Sequence, residues 1–476
     1  MTTTPLGHST LIRGLGLVAT TSLVIGDVIG TGVFLKSRVM TCNVGTPGRV
    51  IAVWVVAGLL SLAGALTYAE LAAIWPRAGG EYVFIREAYN SCLAFLFGWM
   101  RFLVAGPGSL AALAAGFAIF LNVLLKGTLN VNYFNLDLPG YKVSFGGLQI
   151  VAVTAIAVVT LINCASVSVG GTFATVLSSL KVGIIVALGL GAFFLAPGDW
   201  ANFRLADQGG LCEGVAAAAR GGSAGFAAAM LGALWAYNGW NEMTFVSGEV
   251  KNPERNIPRA LVGGMVICAA LYIFVNTSYF YVLTPSEIAN VPAASSVAAV
   301  VAERFLGPVA LTLIAAAMLS STFGALHIST MANSRVPFAM ATDGLFPDKF
   351  ARVSSRTRVP VGALIVQGVW ASILGLSGSY DTLTDYVIFA NWIFFGLVIA
   401  SVFFIRRRMP KVEGMYRAWG YPFVPVLFLL TTAWLLISTL ITSPMRSLIG
   451  LILVALGLPV YFYQSRSKGK PSRILL

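Results

Sequence analysis

The chain has 476 residues, 57% of them hydrophobic and only 10% charged. Soluble domains carry roughly a quarter charged residues, so a water-solvated globular protein is excluded and lipid must solvate most of the surface. The formal net charge of +13 does not imply nucleic acid, because the basic residues lie scattered in short connections between apolar runs.

A spanning helix needs about 20 mainly apolar residues. Twelve such stretches are predicted, at approximately 14–41, 48–75, 83–125, 146–166, 169–196, 222–248, 259–283, 300–340, 359–377, 382–405, 421–441 and 445–464. Helix is the default because lipid offers backbone groups no partner, and the short alternating segments of a β-barrel are missing. The first run is too long for a signal-peptide core and leads into Gly30, Thr31 and Gly32 instead of a cleavage site. The longest polar connections are 126–145, 197–221 and 341–358. With a cytoplasmic N-terminus, twenty of the 31 Lys+Arg fall inside and nine outside, while Arg101 and Lys181 lie within spans. The positive-inside rule then sets both termini in the cytoplasm and predicts a multi-pass protein of the cell (inner) membrane.

The first and sixth spans share an interruption. Gly26, Asp27, Val28, Ile29, Gly30, Thr31 and Gly32 break the first; Trp235, Ala236, Tyr237, Asn238, Gly239, Trp240 and Asn241 break the sixth. Paired interruptions at corresponding positions point to a solute site between inverted repeats, whereas glycine in membrane helices also serves plain packing. A half-helix beginning at Thr31 and Gly32 would offer amide N–H groups and positive dipole charge to a carboxylate. Carbonyls near Asp27 to Ile29 and Trp235 to Asn238 would suit an ammonium. Together they describe an α-amino acid.

These motifs, with Pro76 to Tyr82, Gly248 to Pro258, and Asn391 and Trp392, resemble the amino acid–polyamine–organocation superfamily and within it the L-type amino acid transporter family. The collinear resemblance runs from about residue 10 to 465. It implies an all-α integral membrane protein of 12 transmembrane helices with a LeuT-like 5+5 inverted repeat and discontinuous helices 1 and 6. The first repeat would occupy 1–197, the second 198–408, and the last two helices with a short basic tail 409–476. The resemblance implies that the Thr31 and Gly32 amides receive the substrate carboxylate, that Val28, Trp235 and Ala236 carbonyls receive its ammonium, and that Trp235 covers the substrate as a thin gate. Asn238 stands where relatives carry small residues or an aspartate; uncharged, it favours neutral substrates or simply caps the broken helix. Tyr279 matches a seventh-span tyrosine that contacts the site, or it is an interfacial aromatic.

Lys181 lies near the middle of its span, where a lysine costs about 2.5–3.5 kcal/mol. The resemblance implies that its ammonium occupies the space of a sodium ion and braces the first span near Ser321, giving sodium-independent transport. Asp27 and Arg101 depart from the family pattern: they pair with one another, or Asp27 stays protonated in a structural role or couples transport to protons. Glu70, Glu242 and Glu249 read as gate or helix-end partners. The five cysteines, Cys42, Cys92, Cys164, Cys212 and Cys268, show no metal spacing and read as small packing residues. The connection 126–145 holds no cysteine, so no disulfide-linked heavy subunit is expected. No cofactor, metal or enzyme activity is expected either: the histidines are His8 and His327, the latter suited to hydrogen-bonded packing. The reading is a sodium-independent exchanger of neutral α-amino acids; a proton-coupled symporter and a non-cycling amino-acid sensor are the rivals.

Overall fold

The computed structural model describes residues 11–138, 141–165, 167–206, 210–292, 295–377, 380–409, 415–442 and 444–467. His8, Lys411, both termini and the tail residues Lys468, Lys470 and Arg473 lie outside the described residues.

The chain is mainly helical. The first part comprises α1 (Leu17–Val28), α2 (Gly32–Val44), α3 (Pro47–Ile74), α4 (Glu81–Ala88), α5 (Ser91–Met100), a π-helical turn (Arg101–Ala105) and α6 (Gly106–Leu124). A hairpin, β1 (Asn132–Leu138) and β2 (Tyr141–Gly146), leads to α7 (Gly147–Ala165) and α8 (Val167–Phe194). Then come α9 (Gly222–Ala236), a 3-10 segment (Trp240–Glu249), α10 (Pro253–Val282), α11 (Pro285–Ala289), α12 (Val297–Leu306), α13 (Ala310–Asn333) and α14 (Arg335–Thr342). The series closes with α15 (Val361–Ser377), α16 (Tyr380–Arg408), α17 (Phe423–Thr442), α18 (Pro444–Ala455) and α19 (Gly457–Ser467). Among the described residues, eight helical stretches are long and apolar enough to cross a membrane, with shorter apolar helices at Val361–Leu376 and Leu448–Gln464. Helix satisfies every backbone group internally, which lipid demands. Starts are marked locally: Thr46 and Pro47 open α3, and a Thr284–Glu287 capping box opens α11.

Three stretches differ from the sequence reading. The run at 83–125 is divided, because Asn90 caps a new helix and leaves α4 as a separate short element. The connection 126–145 folds largely into the antiparallel β1–β2 pair. The cysteines are not all packing residues: Cys42 and Cys212 are joined by a disulfide, while Cys92, Cys164 and Cys268 are free. Their separation of 170 residues hides the pair from any spacing rule; it forms because the end of α2 meets the connection before α9. The same corner is tied by Arg38 Nη1 donating to Glu213 O at 2.8 Å and Gly221 N to Asn43 O at 2.7 Å.

The opposite end is closed by buried ion pairs. Arg335 holds Glu249 through both carboxylate oxygens, at 2.8 and 3.1 Å, with both side chains essentially inaccessible. Arg406 holds Glu70 at 2.8 and 2.6 Å. Leu15 threads beside Val250 as a parallel bridge, its amide donating to Glu249 O at 2.9 Å. Glu70 and Glu249 thus serve as helix-end partners.

Candidate functional site

The chain between α1 and α2 is not helical. Ile29 N–H closes the last turn on Ile25 O at 2.8 Å, and Gly30 N–H turns back to Val28 O at 2.9 Å. The terminal carbonyls of α1 have no intrahelical donors, and other elements supply them. Lys181 Nζ donates to Gly26 O and, at 2.8 Å, to Ile29 O. Ser321 Oγ donates to the same Ile29 O at 3.0 Å. Ser178 Oγ, one turn before Lys181, donates to Ser22 O at 2.7 Å. Lys181 is only 1% exposed. Its two charge-assisted bonds, about 1.5–3 kcal/mol each, offset the ~2.5–3.5 kcal/mol cost of a lysine at membrane depth, and its charge complements the negative end of the α1 dipole.

The second interruption follows α9. Tyr237 N–H bonds Ala233 O and Asn238 N–H bonds Trp235 O, each at 3.0 Å, before Gly239 turns the chain at φ 112°. That left-handed value favours glycine, and the 3-10 segment begins there without a side-chain cap. The two breaks meet closely: a Cβ added at Gly32 would lie 2.5 Å from Ala236 Cα, and one at Gly239 would lie 3.0 Å from Asp27 Oδ2.

Between the breaks lies a small cavity of about 30 Å³, lined by Asp27, Val28, Gly30, Thr31, Gly32, Ser109, Leu113, Trp235, Asn238, Gly239, Glu242 and Ser329. That volume admits a water or two, not an amino acid, so this conformation is closed around the site. Seven of the expected residues therefore share one wall: Asp27, Val28, Gly30, Thr31, Gly32, Trp235 and Asn238. Ile29 and Ala236 are buried immediately behind them. Tyr279 is fully buried, its hydroxyl has no partner among the described residues, and it does not line the cavity. The first-turn amides of α2, at Gly32 and Val33, have no intrahelical acceptor by position.

Tyr272 was not anticipated. Its hydroxyl bridges Val28 O and Ala236 O, 2.9 Å from each, so two of the carbonyls expected to receive an ammonium already share a neutral donor. Each carbonyl keeps a second lone pair. The available signal was its place seven residues before Tyr279, which puts the two on one helical face.

Arg101 does not pair with Asp27. From the π-helical turn its guanidinium donates to Glu242 and Asn333 and, at 3.0 Å, to Asn391 Oδ1. Glu242 also accepts from Ser329 Oγ at 2.7 Å and Asn333 Nδ2 at 2.9 Å. The 3-10 segment carries Glu242 to the arginine, whereas Asp27 stays on the α1 side with Oδ2 unpartnered among the described residues. His327 is buried between Asn163 and Gly170 O, at 3.1 and 3.3 Å. Among the described residues no group of three His, Cys, Asp or Glu is placed to hold a metal.

Comparison with known proteins identifies the family. The amino acid permease family model matches residues 15–458. The chain is 30% identical to the serine/threonine exchanger SteT of Bacillus subtilis, across 96% of this chain and 98% of that protein. It is 29% identical to the human cystine/glutamate transporter, across 95% and 84%. Identity to the b(0,+)-type amino acid transporter 1 of Mus musculus is 28%, across 96% and 89%. These matches span nearly the whole chain, including both helix breaks. With its membrane-length helices and closed cavity between two interrupted ones, the chain is a transporter and not an enzyme, and it belongs to the amino acid permease family.

Proposed function

We propose that this permease is a sodium-independent exchanger of neutral α-amino acids working by alternating access. The carrying observation is the Lys181 ammonium, bonded to Gly26 O and Ile29 O beside Ser321. A fixed cation fills the carbonyl cluster at the end of α1 that would otherwise attract a free one. The substrate carboxylate binds the Thr31 and Gly32 amides where α2 begins. Its ammonium takes the remaining lone pairs of Val28, Trp235 and Ala236, with Trp235 as the lid. Tyr279 completes the proposed site. Asn238 adds no charge to the pocket, which supports neutral side chains. The exchanger among the similar proteins supports exchange.

In this proposal the chain has 12 transmembrane helices, two inverted five-helix repeats at 1–197 and 198–408, and a remainder at 409–476. Both termini face the cytoplasm of a cell inner membrane. The Cys42–Cys212 disulfide supports this orientation independently of charge counting, since disulfides persist in oxidising compartments. An outside location for the end of α2 goes with a cytoplasmic N-terminus. The connection 126–145 holds no cysteine, which supports a chain that works without a disulfide-linked heavy subunit.

The test is counterflow. Purified protein in liposomes preloaded with unlabelled L-serine or L-leucine should take up the labelled amino acid in sodium-free choline buffer. Binding without counterflow would instead identify a non-cycling sensor.

A further inference from the structure

The zwitterion site leaves the Asp27 side chain unused. Asp27 is 8% exposed, lines the cavity, and has an unpartnered Oδ2 among the described residues. It sits at the C-terminal end of α1, where the helix dipole disfavours negative charge. The charged groups facing it are Glu242 from the 3-10 segment, within hydrogen-bonding reach, Lys181 from α8, and Arg101 from the π-helical turn; Glu81 of α4, held by Asn241, faces Glu242 and Arg101 in turn. The Cys268 thiol of α10 stands by Lys181.

Neither cation bonds Asp27. Lys181 is committed to the Gly26 and Ile29 carbonyls, and Arg101 to Glu242, Asn333 and Asn391. The Glu242 oxygens are likewise engaged, Oε1 by Arg101 and Oε2 by Ser329 and Asn333. Glu242 therefore holds the arginine's charge, and Asp27 would be a second, uncompensated carboxylate in a cavity with room for a water or two. Such a charge costs several kcal/mol unless it is paired or removed.

We propose that Asp27 and Glu242 form a one-proton site in the wall of the substrate cavity, with the proton on Asp27 Oδ2. The inference rests on the amino acid transport reading and deepens it. When the cavity opens to water, hydration supports the Asp27 carboxylate. When the cavity closes over substrate, a proton from the open side forms the Oδ2–H bond, and this hydroxyl donates toward the Glu242 carboxylate. Opening to the other side returns the proton to water there. No partner beyond water is needed, and the closed, loaded transporter carries one proton.

The experiment first identifies which of L-serine, L-alanine and L-leucine the detergent-solubilised wild-type protein binds best, and uses that amino acid as the probe. Adding it to detergent-solubilised wild-type protein in weak buffer with a pH-indicator dye should take up about one proton per substrate bound. In proteoliposomes, wild-type counterflow should slow as pH is raised symmetrically. In Asp27→Asn, binding should occur without proton uptake, and the remaining exchange should lose its pH dependence. Wild-type binding with no proton uptake overturns the proposal, as does Asp27→Asn retaining the wild-type pH profile. If Asp27→Asn does not fold, the wild-type proton count decides alone. Absence of any wild-type counterflow would overturn the exchanger reading instead, and the proton count on binding would still test this one.

Discussion

Lys181 reaches Ile29 from 152 positions away in sequence, its ammonium donating to the Ile29 carbonyl at 2.8 Å where the first membrane helix ends. The same ammonium takes Gly26 O. That helix end is thereby fixed to a neighbouring helix. Replacing Lys181 by Met keeps the bulk and leaves these carbonyls without their donor. About 1–3 kcal/mol per unsatisfied buried group predicts at least a tenfold loss of counterflow and a lower unfolding temperature in detergent. Counterflow at wild-type rates would dismiss the brace.

Tyr272 bridges the two interrupted helices through Val28 O and Ala236 O. Tyr272→Phe removes only the hydroxyl. At about 0.5–1.5 kcal/mol for a neutral hydrogen bond, KM for the transported amino acid should change by roughly 3- to 10-fold, with little change in thermal stability. Uptake titrations on the purified variant provide the check.

The Arg101–Glu242 pair is buried, its side chains 1% and 2% exposed. Removing one partner of such a pair costs about 3–5 kcal/mol because a bare charge remains, while removing both costs far less. Arg101→Met and Glu242→Gln should each destabilise strongly, and the double variant should recover much of the loss. Equal, additive destabilisation in a double-mutant cycle would count against the pairing.

Close approach of the half-helices depends on Gly32. An alanine there would bring Cβ within 2.5 Å of Ala236 Cα, and backbone cannot yield as a flexible side chain does. Gly32→Ala should abolish substrate binding while the protein still purifies as a folded monodisperse species. Wild-type binding by isothermal titration would show that the gap is wider than described.

The Cys42–Cys212 bond ties the end of α2 to the connection before α9. Denatured, unreduced protein should accept maleimide at three of its five cysteines, and at all five after reduction. Removing a native disulfide typically costs about 2–5 kcal/mol, so Cys42→Ser with Cys212→Ser should unfold at a lower temperature. Five labelled cysteines without reductant would refute the bond.

What could be read from sequence divides along physical lines. The breaks at Gly30 and Gly239 were visible because glycine and polar residues stand out inside runs that lipid otherwise keeps apolar. Lys181 stood out for the same reason: its cost at membrane depth demanded partners. The choice of partner was not visible. Arg101 could satisfy Asp27 or Glu242, and only the meeting of the π-helical turn with the 3-10 segment, 141 residues away, decides between them. Tyr272 and the disulfide are long-range in the same sense. Each residue type has an ordinary packing role, and nothing local marks it as a bridge.

Counterflow into proteoliposomes with choline as the external cation separates a built-in ammonium at the end of α1 from a bound sodium ion. Labelled amino acid uptake should run at equal rates in choline and in sodium chloride. Uptake that appears only with an inward sodium gradient would show that Lys181 does not take the place of sodium.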